Sequence, residues 1–236
     1  MTISSRFFSF KIIFLNLQLL FPTTLYACND CKYTSIISFG NSLTDTGNLK
    51  NIDSIRNIPP PHYFFPPYGE TFFHKPTGRS SDGRLIVDFL AERLGLPLIP
   101  PYVGTKQTGN KTELGQGVNY AVIGAYALNS SFHEARGVSN PLTNVSLGDE
   151  LMWFKRSLHS FCATYSDCKQ IIQHALFLVG EIGGNDYNIE LLAGISIKQV
   201  RSFVPLVIRT IIAVVKRVLA CQKLMRIVTF ISSTIM

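Results

Sequence analysis

A chain of 236 residues suits one domain with a sizeable core. With 46% hydrophobic and only 16% charged residues, it is not a disordered protein. The formal net charge of +7 does not argue for a nucleic-acid partner: the seven basic residues after Glu190 account for all of it, and no nucleic-acid-binding motif accompanies them.

Residues 1–27 carry the marks of a secretory signal. Arg6 and Lys11 supply positive charge, 12–21 is mostly apolar though broken by Asn16 and Gln18, and Ala27 is a small residue for cleavage. The apolar run is too short to span a bilayer, and bulky Tyr26 argues against lipoprotein processing at Cys28. A secreted, extracellular protein is expected. A β-like run at 35–39 then leads into Gly40-Asn41-Ser42-Leu43-Thr44-Asp45-Thr46-Gly47-Asn48. Such a turn at the end of a buried strand is where an open α/β sheet displays reacting groups, and Ser42 is the natural nucleophile there. The plain alternative is a βα turn whose hydroxyl caps a backbone group.

The aromatic, Pro-rich segment 62–68 reads as a packed surface loop. A helix is predicted from Asp82-Gly83 through Leu85, Ile86, Phe89, Leu90 and Leu94, closed by Gly95-Leu96-Pro97. Residues 118–123 are strand-like and run into a small-residue turn at Gly124-Ala125. A helix follows over about 147–159, with the lone Trp153. A third buried strand at 175–179 precedes Gly180-Glu181-Ile182-Gly183-Gly184-Asn185-Asp186-Tyr187. There the glycines admit close backbone approach, and the Asn185 amide is suited to donate to a developing oxyanion. From Val200, the apolar residues Phe203, Val204, Val207, Ile208, Ile211, Val214, Val215 and Val218 recur at helical spacing with bases between them. That pattern predicts a helix packed on the sheet rather than one lying on a membrane. Strands alternating with helices predict an α/β domain with a parallel sheet.

Three strand ends carrying Ser42, Gly124 and Asn185 in that order resemble the plant GDSL esterase/lipase family of the SGNH hydrolases. Pro66-Pro67-Tyr68-Gly69-Glu70-Thr71-Phe72-Phe73 and Pro76-Thr77-Gly78-Arg79-Ser80-Ser81-Asp82-Gly83-Arg84 extend the match, which covers about 33–212. The resemblance implies a three-layer α/β (flavodoxin-like) fold, incomplete at the C-terminus, and hydrolysis of carboxylic esters through an acyl-serine. Ser42 would be the nucleophile, with the Gly124 N–H, Asn185 and the Ser42 N–H forming the oxyanion hole. No metal or cofactor is implied, and the partner is a small-molecule ester. The family's Gly-Asp-Ser-Leu reads Gly40-Asn41-Ser42-Leu43, so Asn41 keeps shape and hydrogen bonding but drops the charge.

A larger departure is that the family draws its base from a C-terminal Asp-x-x-His. No Asp follows Asp186 and no His follows His174. A serine hydroxyl is a weak nucleophile without a neighbouring base. His62, His74, His133, His159 and His174 show no acidic partner at a spacing that suggests a dyad, and each reads as a solvated or core histidine. The expected organisation is a signal at 1–27, the N-terminal part of the hydrolase domain at 28–213 and a divergent tail at 214–236. A C-terminally truncated member, weak or inactive in hydrolysis, is expected. The alternatives are a non-catalytic secreted glycoprotein that binds esters or glycans, and a truncated gene product. Asn110, Asn129 and Asn144 head glycosylation sequons. Cys162 and Cys168 bracket a short polar loop and form the best local disulfide; Cys28 and Cys31 pair with each other or elsewhere, and Cys221 is the odd thiol. No Cys/His spacing resembles a metal site.

Overall fold

A computed structural model describes residues 33–104, 117–161, 164–220 and 227–231. The signal-like segment, Cys28, Cys31, Asn110, Cys162 and Cys221 lie outside the described residues. Four strands, β1 (Ser35–Phe39), β2 (Gly117–Asn119), β3 (Ala175–Ile182) and β4 (Ile227–Ile231), form one sheet in the order β2-β1-β3-β4. All neighbours run parallel, with Ile37 level with Val118 and Phe177, and Phe177 level with Ile227.

Every residue of β1 is buried, as a parallel sheet covered on both faces requires. Successive side chains point to opposite faces. Ile37, Phe39, Phe177 and Val179 join a large cluster with Leu49, Tyr120, Phe154 and Val207, whereas Ile36, Leu176 and Leu178 join a smaller one with Val87 and Ala91. The sheet therefore lies between two helical layers. The first layer contains α1 (Asn48–Ile55), α4 (Leu147–Phe161) and α7 (Ile197–Ala220), and the second contains α2 (Ile86–Arg93). The shorter α3 (Ser130–Glu134), α5 (Tyr165–Gln173) and α6 (Gly184–Leu192) lie between these along the chain, with a 3-10 turn at His62–Phe64. No helix among the described residues is long and apolar enough to cross a membrane.

Several boundaries depart from the sequence expectation for local reasons. The strand expected over 118–123 ends at Asn119, because the Asn119 side chain accepts the Ala121 N–H at 2.8 Å and bends the chain. The backbone still follows β1, since Tyr120 N–H donates to Ser38 O and Val122 N–H to Gly40 O. β3 runs on to Ile182, beyond the expected 179. The helix expected from Asp82 starts only at Ile86, where Asp88 accepts the Leu85 N–H and a two-pronged bond from buried Arg79 at 2.7 and 2.8 Å. Its expected apolar face is also corrected. Val87, Asp88 and Ala91 face inward, while Ile86 and Phe89 are exposed and the Arg84 guanidinium lies 4.2 Å over the Phe89 ring.

Val200, Phe203, Val207, Ile211, Val214 and Val218 form one unbroken buried stripe of α7, past Pro205, and the chain returns as β4 beside β3. Helix α7 is packed inside the molecule along this stripe, with Lys198, Arg201, Arg209, Lys216 and Arg217 exposed on the outer side.

Candidate active site

Because β2, β1 and β3 are adjacent and parallel, the segments that follow them emerge at one edge of the sheet. The β1 exit is tightly braced. Gly40 N–H donates to a Glu150 carboxyl oxygen at 2.9 Å, and Asn41 N–H donates to Glu181 O at 3.1 Å. Asn41 O accepts from Thr44 and Asp45 N–H, closing a turn with Ser42 at its tip. A Cβ on Gly40 would lie 2.6 Å from Thr44 Oγ1 and 3.0 Å from Glu181 O, so only glycine fits. Ser42 is half-buried, and its hydroxyl has no hydrogen-bond partner among the described residues.

The amide at position 41 has a physical role. Asn41 Nδ2 donates to Glu181 Oε2 at 2.8 Å while its Oδ1 accepts the Leu43 N–H at 3.1 Å. An aspartate there would set two carboxylates at hydrogen-bond distance, and one would have to hold a proton.

Two further carboxyl groups shape the turn, and the sequence reading missed both. Asp45 is wholly buried and accepts four backbone N–H groups: Gly47 (2.7 Å), Asn48 (2.6 Å), Leu49 (3.1 Å) and Ile123 (2.8 Å). It thus ties the nucleophile turn to the N-terminus of α1 and to the chain beyond β2. Burial lifts its pKa to about 6, against the lowering effect of those bonds. Asn48 adds donors to Asn119 O and Ala121 O, both at 2.8 Å. Glu150, on α4, is also fully buried, and burial pushes its pKa well up, with Asp45 adding to the rise. The Asp-x-Gly-Asn spacing at a helix start is a capping signal that could have revealed Asp45; nothing local marks Glu150.

Beyond β2, Gly124 is buried with φ +84°, and its carbonyl accepts from Asn140 Nδ2 at 2.8 Å. A Cβ there would press on Leu142 at 3.1 Å. Beyond β3, Asn185 opens α6 and donates one amide hydrogen to Ala125 O at 2.9 Å. That bond leaves the second amide hydrogen with a fixed direction. Ser42, Gly124 and Asn185 are thus carried by three interlocked segments at one edge of the sheet.

The histidines divide. His62, His74 and His174 are exposed, and the His159 side chain lies outside what is described. His133 is a core histidine, as expected, but with acidic partners that no sequence spacing announces: it is wholly buried between Glu190 (Nδ1 to Oε1, 2.8 Å) and Asp186 (Nε2 to Oδ1, 3.3 Å). Both ring nitrogens are committed to carboxylates, so His133 has no nitrogen left to take a proton from Ser42. The pairing spans 57 residues, far beyond any sequence spacing that signals a dyad. Among the described residues, no group of three or more His, Cys, Asp or Glu is placed to hold a metal ion.

Of the remaining expected sites, Asn129 and Asn144 are exposed, and Asn129 also caps α3 by accepting the Ser131 N–H. Cys168 is disulfide-bonded.

Comparison with known proteins agrees with this arrangement. The model of the GDSL-like Lipase/Acylhydrolase family matches residues 36–233, past the point near 212 where the sequence reading ended the resemblance. Similar proteins include the Arabidopsis thaliana GDSL esterase/lipase At1g28580, 49% identical over 201 residues, covering 85% of this chain and 50% of the relative. Another is At2g27360 of the same plant, 52% identical over 181 residues, 76% of this chain and 44% of the relative. The chain spans about half the length of the curated relatives it matches. With the motif-bearing strand ends in place and the family model matching most of its length, the chain belongs to the GDSL-like lipase/acylhydrolase family.

Proposed function

We propose that the protein is a secreted carboxylic ester hydrolase that works through an acyl-serine. The observation that carries this reading is the Asn185 amide, oriented by Ala125 O at the same sheet edge as an unpartnered Ser42 hydroxyl. In the proposed reaction Ser42 Oγ bonds to the ester carbonyl carbon as its proton passes to a base. The Gly124 N–H, the Asn185 amide and the Ser42 N–H hold the negative oxygen. The C–O bond to the alcohol then breaks, the proton goes to the leaving alcohol, and water releases the acid by the same route. The base is the family's Asp-x-x-His, which the 236 residues do not contain, so this polypeptide alone is proposed to be weak or inactive.

A second reading, a secreted glycoprotein that binds esters or glycans without turnover, is favoured by one observation: His133, a buried histidine flanked by carboxyl groups, has both ring nitrogens engaged by them. Hydrolysis of short acyl esters separates the two. The chain is assayed alone and fused to a family segment bearing Asp-x-x-His, with Ser42→Ala as control. Ser42-dependent turnover in the fusion supports the hydrolase, and its absence from a folded fusion supports the binder.

Secretion, glycosylation at Asn110, Asn129 and Asn144, and a Cys162–Cys168 disulfide belong to the same proposal. Expression in a secretory eukaryotic host is expected to give a mature N-terminus near Cys28 and a mass that falls on glycosidase treatment. Recovery of an unprocessed, unglycosylated Met1 form from the cytosol would contradict it.

A further inference from the structure

We propose that His133 is a positioning residue: a cationic clamp between Asp186 and Glu190 that locks the loop after β2, which carries Gly124, onto helix α6, which carries Asn185. The claim about turnover rests on the oxyanion roles proposed above, whereas the clamp itself does not.

The geometry favours a cationic ring: a carboxyl oxygen faces each ring nitrogen, at 2.8 Å and 3.3 Å. Where both acids are ionised they only accept, and both nitrogens then carry hydrogens. The three groups are wholly buried, and a buried charge persists only when paired. Burial lowers the His133 pKa, but the bonds and charges of Asp186 and Glu190 outweigh it and raise it overall.

The clamp reaches the loop through Asp186, which accepts the Ala127 N–H at 2.7 Å and the Leu128 N–H at 2.9 Å while holding His133. Ala127 follows Gly124 by three positions, and Asp186 directly follows Asn185. Aromatic rings close the site. Tyr126 stacks on the imidazole at 4.0 Å between centroids, while Phe132 and Phe203 present edges at 5.2 and 6.4 Å. The charged or titratable groups around the ring are Asp186 and Glu190 of α6, Tyr126 of the loop, Tyr187 and Glu134 near them, and Arg136 over the Phe132 ring. From α7 the ring meets Phe203. Without the imidazolium, two carboxylates one helical turn apart would be buried with no cation between them. Moving Asp186 to relieve this would displace both the Ala127–Leu128 backbone and Asn185.

The sign of the pH effect follows. A histidine with a raised folded pKa adds stability that is complete below the unfolded value of about 6.5 and is lost as pH rises through the folded value. The test is nitrogen-15 NMR of the His133 ring in the 236-residue chain, with amide hydrogen exchange in wild type and H133Q. Both ring nitrogens are expected to be protonated at neutral pH. In H133Q, exchange at Ala127 and Leu128 is expected to accelerate by on the order of tenfold relative to amides of β1 and β3. In the Asp-x-x-His fusion, H133Q is expected to lower kcat with KM little changed. A neutral His133 ring at neutral pH overturns the clamp, and so does unchanged Ala127 and Leu128 protection in H133Q. If H133Q does not fold, the wild-type ring titration decides alone. A fusion without Ser42-dependent activity would instead remove the oxyanion reading and leave the clamp to the NMR result.

Discussion

Fusing the chain to a family segment that bears Asp-x-x-His is expected to raise Ser42-dependent ester hydrolysis by several orders of magnitude. In a serine triad, losing the histidine costs about as much as losing all three members, on the order of 10⁶-fold, and the oxyanion hole alone retains roughly 10³–10⁴ over water. The described residues supply an unpartnered Ser42 and an oriented Asn185, while buried His133 is spent on two carboxylates. Initial rates on acetyl and butyryl esters, with Ser42→Ala as blank, check this. A fusion no faster than the chain alone, although folded, would contradict it.

Asp45→Ala is expected to be the most damaging single change to stability. It would strip the acceptor from four buried N–H groups, on Gly47, Asn48, Leu49 and Ile123. At about 1–3 kcal/mol for each group left unsatisfied, with partial relaxation, a loss of about 3–5 kcal/mol follows, a large share of a domain's total. Asp45→Asn keeps one acceptor and the volume, so it should lose less. The pH dependence provides a second readout. A carboxyl whose folded pKa is raised from 3.8 to about 6 favours the protonated native state. Its contribution is therefore complete below about pH 4 and lost as pH rises through about 6, on the order of 3 kcal/mol. Denaturant midpoints across that window should flatten in Asp45→Asn, although Glu150, shifted in the same direction, keeps part of the slope. An Asp45→Ala cost below about 1 kcal/mol, or an unchanged slope in Asp45→Asn, would contradict the bracing role.

What was legible in the sequence is what is written locally. The runs that form β1 and β3, the Ser42 turn, the Asn185 segment and the buried stripe of α7 each carry their own periodicity or turn chemistry. What escaped depends on distant partners. Glu150 becomes a brace only through Gly40, 110 positions away, and Asp45 reaches Ile123 across 78. His133 acquires its acids only when α3 meets α6. Likewise α2 starts late because Arg79, which precedes it, captures Asp88, and that pairing lies on the inward face of α2 beside apolar Val87 and Ala91. Strand β4 is five residues following a long basic helix, and its parallel partner β3 lies far back in the chain.

The central claim is that Ser42 is the nucleophile and Asn185 an oxyanion donor at one sheet edge. Its most direct test is the rate and position of labelling by a fluorophosphonate, mapped by peptide mass spectrometry. The predicted result is a single adduct on Ser42, formed slowly in the chain alone and rapidly in the Asp-x-x-His fusion, with Asn185→Ala slowing the fusion by on the order of 10²–10³. An adduct on another residue, rapid Ser42 labelling in the chain alone, or an Asn185→Ala fusion that reacts at the parent rate would contradict it.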